Sequence, residues 1–177
     1  MKVGQTKDEP AVAADRPRRR SAPFWWGWSL ALALSTLLVA LATLPPFVGD
    51  GFREALMQGF SSVCHQLPSR SPAVEGTPLA VCHRCYGIYW GLPLAAFLFL
   101  VLGRWDPLLN RYAGLVLLAA LIPTTVDWLL GILGLWHNTP ISRLTTGGFL
   151  GLAAGYYLAR AMAQVFTQKR STPPAGS

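Results

Sequence analysis

The chain has 177 residues, 52% of them hydrophobic and only 13% charged, about half the ~25% charged content of soluble domains, which excludes an ordinary water-soluble fold. Its 14 prolines and 17 glycines follow no collagen period and sit in no polar low-complexity core, so fibrous and disordered classes fall away too. The net charge of +7 gathers in an N-terminal tail and at helix ends, a pattern of membrane topology rather than of nucleic-acid binding.

Residues 1–23 read as a flexible basic cytoplasmic tail ending in Arg18-Arg19-Arg20. The charge-free run over 24–47 is long enough to cross a hydrocarbon core of ~30 Å. It exceeds the ~7–15 residues of a signal-peptide core, so an uncleaved anchor is expected despite the small-residue pattern Ala40-Leu41-Ala42. The connection over 48–85 begins with Phe52, Leu56, Phe60 and Val63 at near-helical spacing, as in a short helix lying in the membrane interface. Pro68, Pro72, Gly76 and Pro78 then force the chain to turn back. Further apolar runs span 86–103, 112–136 and 144–166, the last bounded by Arg143 and Arg160, and residues 167–177 read as a second flexible cytoplasmic tail. The expected fold is all-α, a membrane four-helix bundle over 24–166 with a Cys/His-containing loop between helices 1 and 2.

Eleven of the fifteen Lys and Arg residues fall on the side of the N-terminus, and only Arg53, Arg70, Arg84 and Arg143 on the other. The positive-inside rule therefore predicts a multi-pass protein of the cell membrane with both termini cytoplasmic and the 48–85 loop outside.

That loop holds every cysteine of the chain. Cys64-His65-Gln66 precedes the turn and Cys82-His83-Arg84-Cys85 follows it, so folding the loop brings the three thiols together. A Cys-x-x-Cys pair chelates through one tight turn and a distant cysteine closes the site, which points to zinc or another transition metal held by Cys64, Cys82 and Cys85. The histidines on offer are His65, His83 and His137, of which His65 is expected as the fourth ligand or as a group supporting the ligands; three ligands with an open position would instead suit catalysis. Two other readings stand beside this one: a structural disulfide stapling the loop, or a Cys82/Cys85 pair cycling between dithiol and disulfide. Covalent haem is disfavoured, because Tyr86 follows the pair where a histidine is required.

Asp127 is the only acid within the four runs, where burial is costly and marks either an ion pair with Arg84 or Arg143 or a polar reaction site. Thr124 and Thr125 lie within a turn of it as hydrogen-bond donors. Gly147, Gly151 and Gly155 recur every four residues and permit close helix approach, either to the Gly87 and Gly91 run or to a second copy of the chain. Arg70, Arg84 and Arg143 collect at the same outer end, fitted to an anionic lipid or phosphate-bearing substrate, with Asp127 as acid or base.

Cys64-His65-Gln66, Arg70-Ser71 and Cys82-x-Arg84-Cys85-x-Gly87-Ile88-Tyr89-x-Gly91, with Asp127, Asn138 and Arg143-Leu144-Thr145-Thr146-Gly147, resemble a family of small bacterial and archaeal membrane proteins of unknown function. Trp128 stands where that family usually has glycine. The resemblance covers roughly residues 55–155 and implies a shared site of thiols, imidazole, arginines and an acid, without a known reaction. Phosphate-loop, dinucleotide and His-Glu-x-x-His signatures are absent from the sequence. The functions left in competition are a metal-binding, catalytic membrane protein, a thiol oxidoreductase, and a small transporter or assembly factor in which Asp127 titrates.

Overall fold

A computed structural model describes residues 21–168, so most of both expected tails lies outside the described residues. Helix α1 (Ala22–Thr43) opens with Pro23 in its first turn and stops at Thr43, four residues short of the expected end, because Pro45 and Pro46 lack the N–H groups that a continuing helix needs. Arg53 secures the corner that follows. Its guanidinium donates to Asp50 Oδ1 at 2.7 Å and to the carbonyls of Pro45 and Val48 at 3.0 Å, fixing the start of the amphipathic helix α2 (Asp50–Ser61).

The proline-rich turn contains a feature that the breakers alone did not specify, a two-stranded antiparallel hairpin of β1 (Ala73–Val74) and β2 (Thr77–Pro78). Glu75 and Gly76 at its tip have φ of 50° and 81°, as a two-residue hairpin turn demands. Helix α3 (His83–Val101) passes through a short 3-10 turn into α4 (Asp106–Arg111), which was not foreseen as a helix. Helix α5 (Ala113–Ile132) ends before the expected residue 136, where Gly134 takes a φ of 69° and reverses the chain. Helix α6 (Pro140–Gln168) is longer at both ends than the predicted 144–166.

Among the described residues three segments are long and apolar enough to cross a membrane: Ala22–Thr43, the helical run His83–Arg111, and Ala113–Ile132. Helix α6 is not among them. Its position accounts for its composition: α6 packs against α1, α3 and α5, so much of its surface meets protein and can be built of glycine, alanine and threonine.

Helices α3 and α6 run parallel. Gly147 lies under Arg84, Gly151 under Ile88 and Gly155 under Leu92, each pair one turn further along. A Cβ on Gly155 would stand 2.7 Å from Leu92 Cα, and one on Gly91 would stand 2.6 Å from the Gly151 backbone. The glycine stripe is thus filled by α3 of the same chain, the first of the two partners expected for it, and this packing leaves no room there for a second copy. Helices α1 and α5 run the other way. Trp28 donates from Nε1 to Ala96 O at 2.8 Å, and Thr124 from Oγ1 to Thr146 O at 2.8 Å.

Two apolar clusters result. One joins Ala31, Ala95, Ala96, Phe99, Tyr156, Ala159 and Ala163 in the bundle; the other joins Ala42, Phe60, Cys64, Ala80 and Val81 beneath the loop.

Candidate functional site

The loop is shaped by Gln66, a non-glycine residue at a φ of 50°. Its Nε2 donates to Met57 O at 2.7 Å and Ala80 O at 2.8 Å, binding the end of α2 to the segment that enters α3. Ala80 N–H in turn donates to Ala42 O at 3.0 Å, seating that segment on the end of α1. These bonds deliver Cys64 to the N-terminus of α3, where the Cys82 backbone N–H donates to Cys64 Sγ at 3.2 Å.

Cys82 is the residue that precedes the first turn of α3, and Cys85 lies within that turn. The three sulfurs lie within 4.8 Å of one another, and all three cysteines are free thiols. Three sulfurs bound at ~2.3 Å in a tetrahedral site would span a comparable triangle, so the donor set fits a thiophilic ion. The Cys82 thiol is held down at about 5, first by the hydrogen bond from the Cys85 thiol, then by the Cys85 backbone N–H, the Cys64 thiol and the Arg84 backbone N–H, with burial opposing. A thiol that ionises so readily suits both metal ligation and nucleophilic attack.

These sulfurs border an open cleft of about 810 Å³. Arg70, Arg84 and Arg143 line it, as do His65, His137 and Asn138, so the structure gathers the expected residues from four separate segments of the chain. His65 is exposed and lies outside the tight group of sulfurs. His83 turns away to donate from Nδ1 to Arg70 O at 2.6 Å, which anchors the Arg70 backbone instead of extending the thiol cluster. The opposite wall is apolar: Trp128, Ile132 and Trp136 all line the cleft and are more than half exposed.

Asp127, expected as acid or base, is buried behind this surface and is not among the lining residues. Its carboxylate pairs with Arg84, whose side chain is 19% exposed, and accepts from Asn138 Nδ2 at 3.1 Å and Ser142 Oγ at 3.0 Å. Asn138 Nδ2 also donates to Asp127 O at 2.7 Å. Gly131 makes room for this clasp, since any Cβ there would collide with the Asn138 amide. Thr124 and Thr125 do not take part; both donate to backbone carbonyls. Arg84 Nε and Asn138 Oδ1 are both buried without a partner among the described residues, one donor and one acceptor left over in the cluster.

The far end of the bundle carries a polar cluster that the sequence reading missed. Asp106 Oδ1 accepts from Arg160 Nε at 2.8 Å and from Tyr156 OH at 3.0 Å. Arg160 stood out in the sequence, but only as the end of a span; its partner lies more than 50 residues away and no local spacing announces it.

Residues 64–157 match a family described as "Predicted membrane protein (DUF2085)", more than half of the chain, and the chain belongs to that family. An uncharacterised protein of Methanocaldococcus jannaschii is 33% identical over 101 residues, covering 56% of this chain and 63% of the relative. Another uncharacterised protein, from Methanothermobacter thermautotrophicus, is 36% identical over 102 residues, 56% of this chain and 84% of the relative. The chain therefore spans less than two thirds of the first relative's length. No solved structure matches. The earlier resemblance to a membrane family of unknown function is thereby established, and its matched segment begins at Cys64 itself.

Proposed function

We propose that this membrane protein carries a transition-metal site, zinc foremost, in which Cys64, Cys82 and Cys85 are ligands and the cleft gives substrate access to the remaining position. The observation that carries this reading is the convergence of the three free thiols at the edge of an open cleft. A site with three protein ligands and an open place is the arrangement that catalytic zinc uses, whereas closed sites of four ligands are structural. His65 and His137, both at the cleft, are the imidazoles available to complete or support it. When bound, zinc supplies Lewis acidity and a nucleophilic water near neutral pH.

In this reading α6 is the fourth span, both termini are cytoplasmic and the cleft opens at the outer face, supported by the distribution of Lys and Arg along the chain. Arg70, Arg84 and Arg143 bind the anionic part of a substrate. Asp127, clasped by Arg84, Asn138 and Ser142, fixes Arg84 in place and is a positioning residue rather than a proton carrier.

The test is the metal content of protein purified in detergent without chelator. About one transition-metal ion per chain is expected, lost in the Cys82→Ser/Cys85→Ser variant. Stoichiometric metal that survives this double substitution overturns the reading.

A second reading, a thiol oxidoreductase, is favoured by one observation: the easily ionised Cys82 at the start of a helix with Cys85 in its first turn. Each cycle would oxidise the two thiols to one disulfide, with two electrons and two protons passing to a disulfide or quinone acceptor. A metal-free protein whose thiol count falls by two on mild oxidation, reversibly, would establish it.

A further inference from the structure

The two walls of the cleft differ in chemistry, and the difference specifies a ligand. One wall is cationic. Arg70 and Arg143 form no ion pair among the described residues, and Arg84, though paired with Asp127, keeps a buried Nε without an acceptor. Among the described residues no carboxylate lines the cleft. With Asp127 counted behind the lining, three guanidinium groups face a single carboxylate. The parallel pairing of α3 and α6 adds to this field, because it brings the positive ends of both helix dipoles to the same end of the bundle, within a turn of Arg84 and Arg143.

The other wall has no polar purpose. Trp128 and Ile132 project from α5 and Trp136 follows it, each more than half exposed beside the guanidinium groups. Helix α5 itself is the least enclosed of the candidate spans, with 6% of its apolar window buried, so Trp128 and Ile132 belong to a helix whose apolar surface is largely exposed. A small hydrated anion would use the first wall and leave the second idle. A ligand with an anionic head and a hydrocarbon chain uses both, and reaches the cleft from the bilayer.

We propose that the cleft binds a phosphate-bearing amphiphile, its head on Arg70, Arg84 and Arg143 and its chain against Trp128, Ile132 and Trp136. This names the substrate class of the site proposed above and rests on that reading for the location of the site, though not for its metal.

The experiment is equilibrium binding to the full chain in a neutral maltoside detergent, with dodecyl phosphate, inorganic phosphate and dodecanol as probes. Dodecyl phosphate should saturate at one per chain and bind at least tenfold more tightly than either of the others. Arg70→Gln/Arg143→Gln should weaken it at least tenfold, while Arg104→Gln, at the far end, should leave it unchanged. Thermal unfolding of the double arginine variant in the same detergent should match that of the parent chain, which guards against loss through misfolding. Inorganic phosphate binding as tightly as dodecyl phosphate would overturn the proposal in favour of a free anion, and dodecanol binding as tightly would reduce the site to an apolar groove. Unaltered binding in the double arginine variant would also end it. Repeating the titration on metal-free Cys82→Ser/Cys85→Ser protein separates the two readings: retained binding upholds the amphiphile site without the metal, whereas a parent chain that holds metal but binds no dodecyl phosphate upholds the thiol site alone and overturns this proposal.

Discussion

The two ends of the bundle are built around the same device and put it to different use. At the cleft end Arg84 reaches from α3 to Asp127 on α5; at the far end Arg160 reaches from α6 to Asp106 at the start of α4. Each pair ties together elements that are distant in sequence. At the far end the account closes there: one arginine, one aspartate and the Tyr156 hydroxyl satisfy each other beside a small cavity of about 280 Å³. The cleft end has the same latch and then an excess, two further arginines that form no ion pair among the described residues and three thiols around a larger opening. A latch needs no surplus charge, so the surplus is what distinguishes a site from a fastening.

Removing one partner from each latch breaks the comparison most directly. Asp127→Ala leaves Arg84 buried and unpaired and should cost about 3–5 kcal/mol, read as loss of thermal stability in detergent. Asp106→Ala leaves an arginine of similar exposure but removes a carboxylate that is 27% exposed against 7% for Asp127, and should cost less in the same measurement. Equal losses would mean that burial does not separate the two ends.

The next effect tests the α3–α6 contact that positions both. Gly151→Val drives side-chain atoms into the Ile88 backbone and should cost about 1–3 kcal/mol or prevent assembly, whereas Gly114→Ala, with open space around it, should be tolerated.

A smaller effect sharpens the cleft end alone. Gln66→Ala removes two hydrogen bonds, at about 1 kcal/mol each. It should also raise the alkylation rate of the buried Cys64 by loosening the loop that carries it.

The smallest perturbation is pH. Because the Cys82 thiol is lowered from 9.0 to about 5 in the folded protein, its ionised form adds stability that is complete above pH 9 and is lost as pH falls through about 5. Metal-free protein should therefore keep alkylating at Cys82 down to about pH 5, and an unfolded control should slow below pH 9; matching profiles would contradict the lowered value.

Much of this architecture was legible. Apolar runs located three of the four expected spans, the glycines at 87, 91, 147, 151 and 155 announced the α3–α6 contact, and three cysteines divided by a proline-rich turn implied their convergence. Helix ends were harder, because Pro45-Pro46 and Gly134 act through backbone geometry while hydropathy runs on past them. Asp127 was identified as costly and Arg84 as one of its two partners, yet its position behind the cleft surface depends on Asn138 and Gly131 closing from outside. The Asp106 latch and the Gln66 clasp join residues through space and leave no periodic trace.

The pairing of α3 with α6 also fixes the register of the residues at the cleft. Because each glycine lies beneath backbone rather than beneath a flexible side chain, the two helices cannot glide past one another; they can shift only by a full turn, about 5.4 Å, into the next notch. The cysteines at the head of α3 and Arg143 on α6 are therefore held in a single register. Helix α5, with Trp128 and Ile132, is joined to that pair by its packing on α6 and by the Asp127–Arg84 bond to α3.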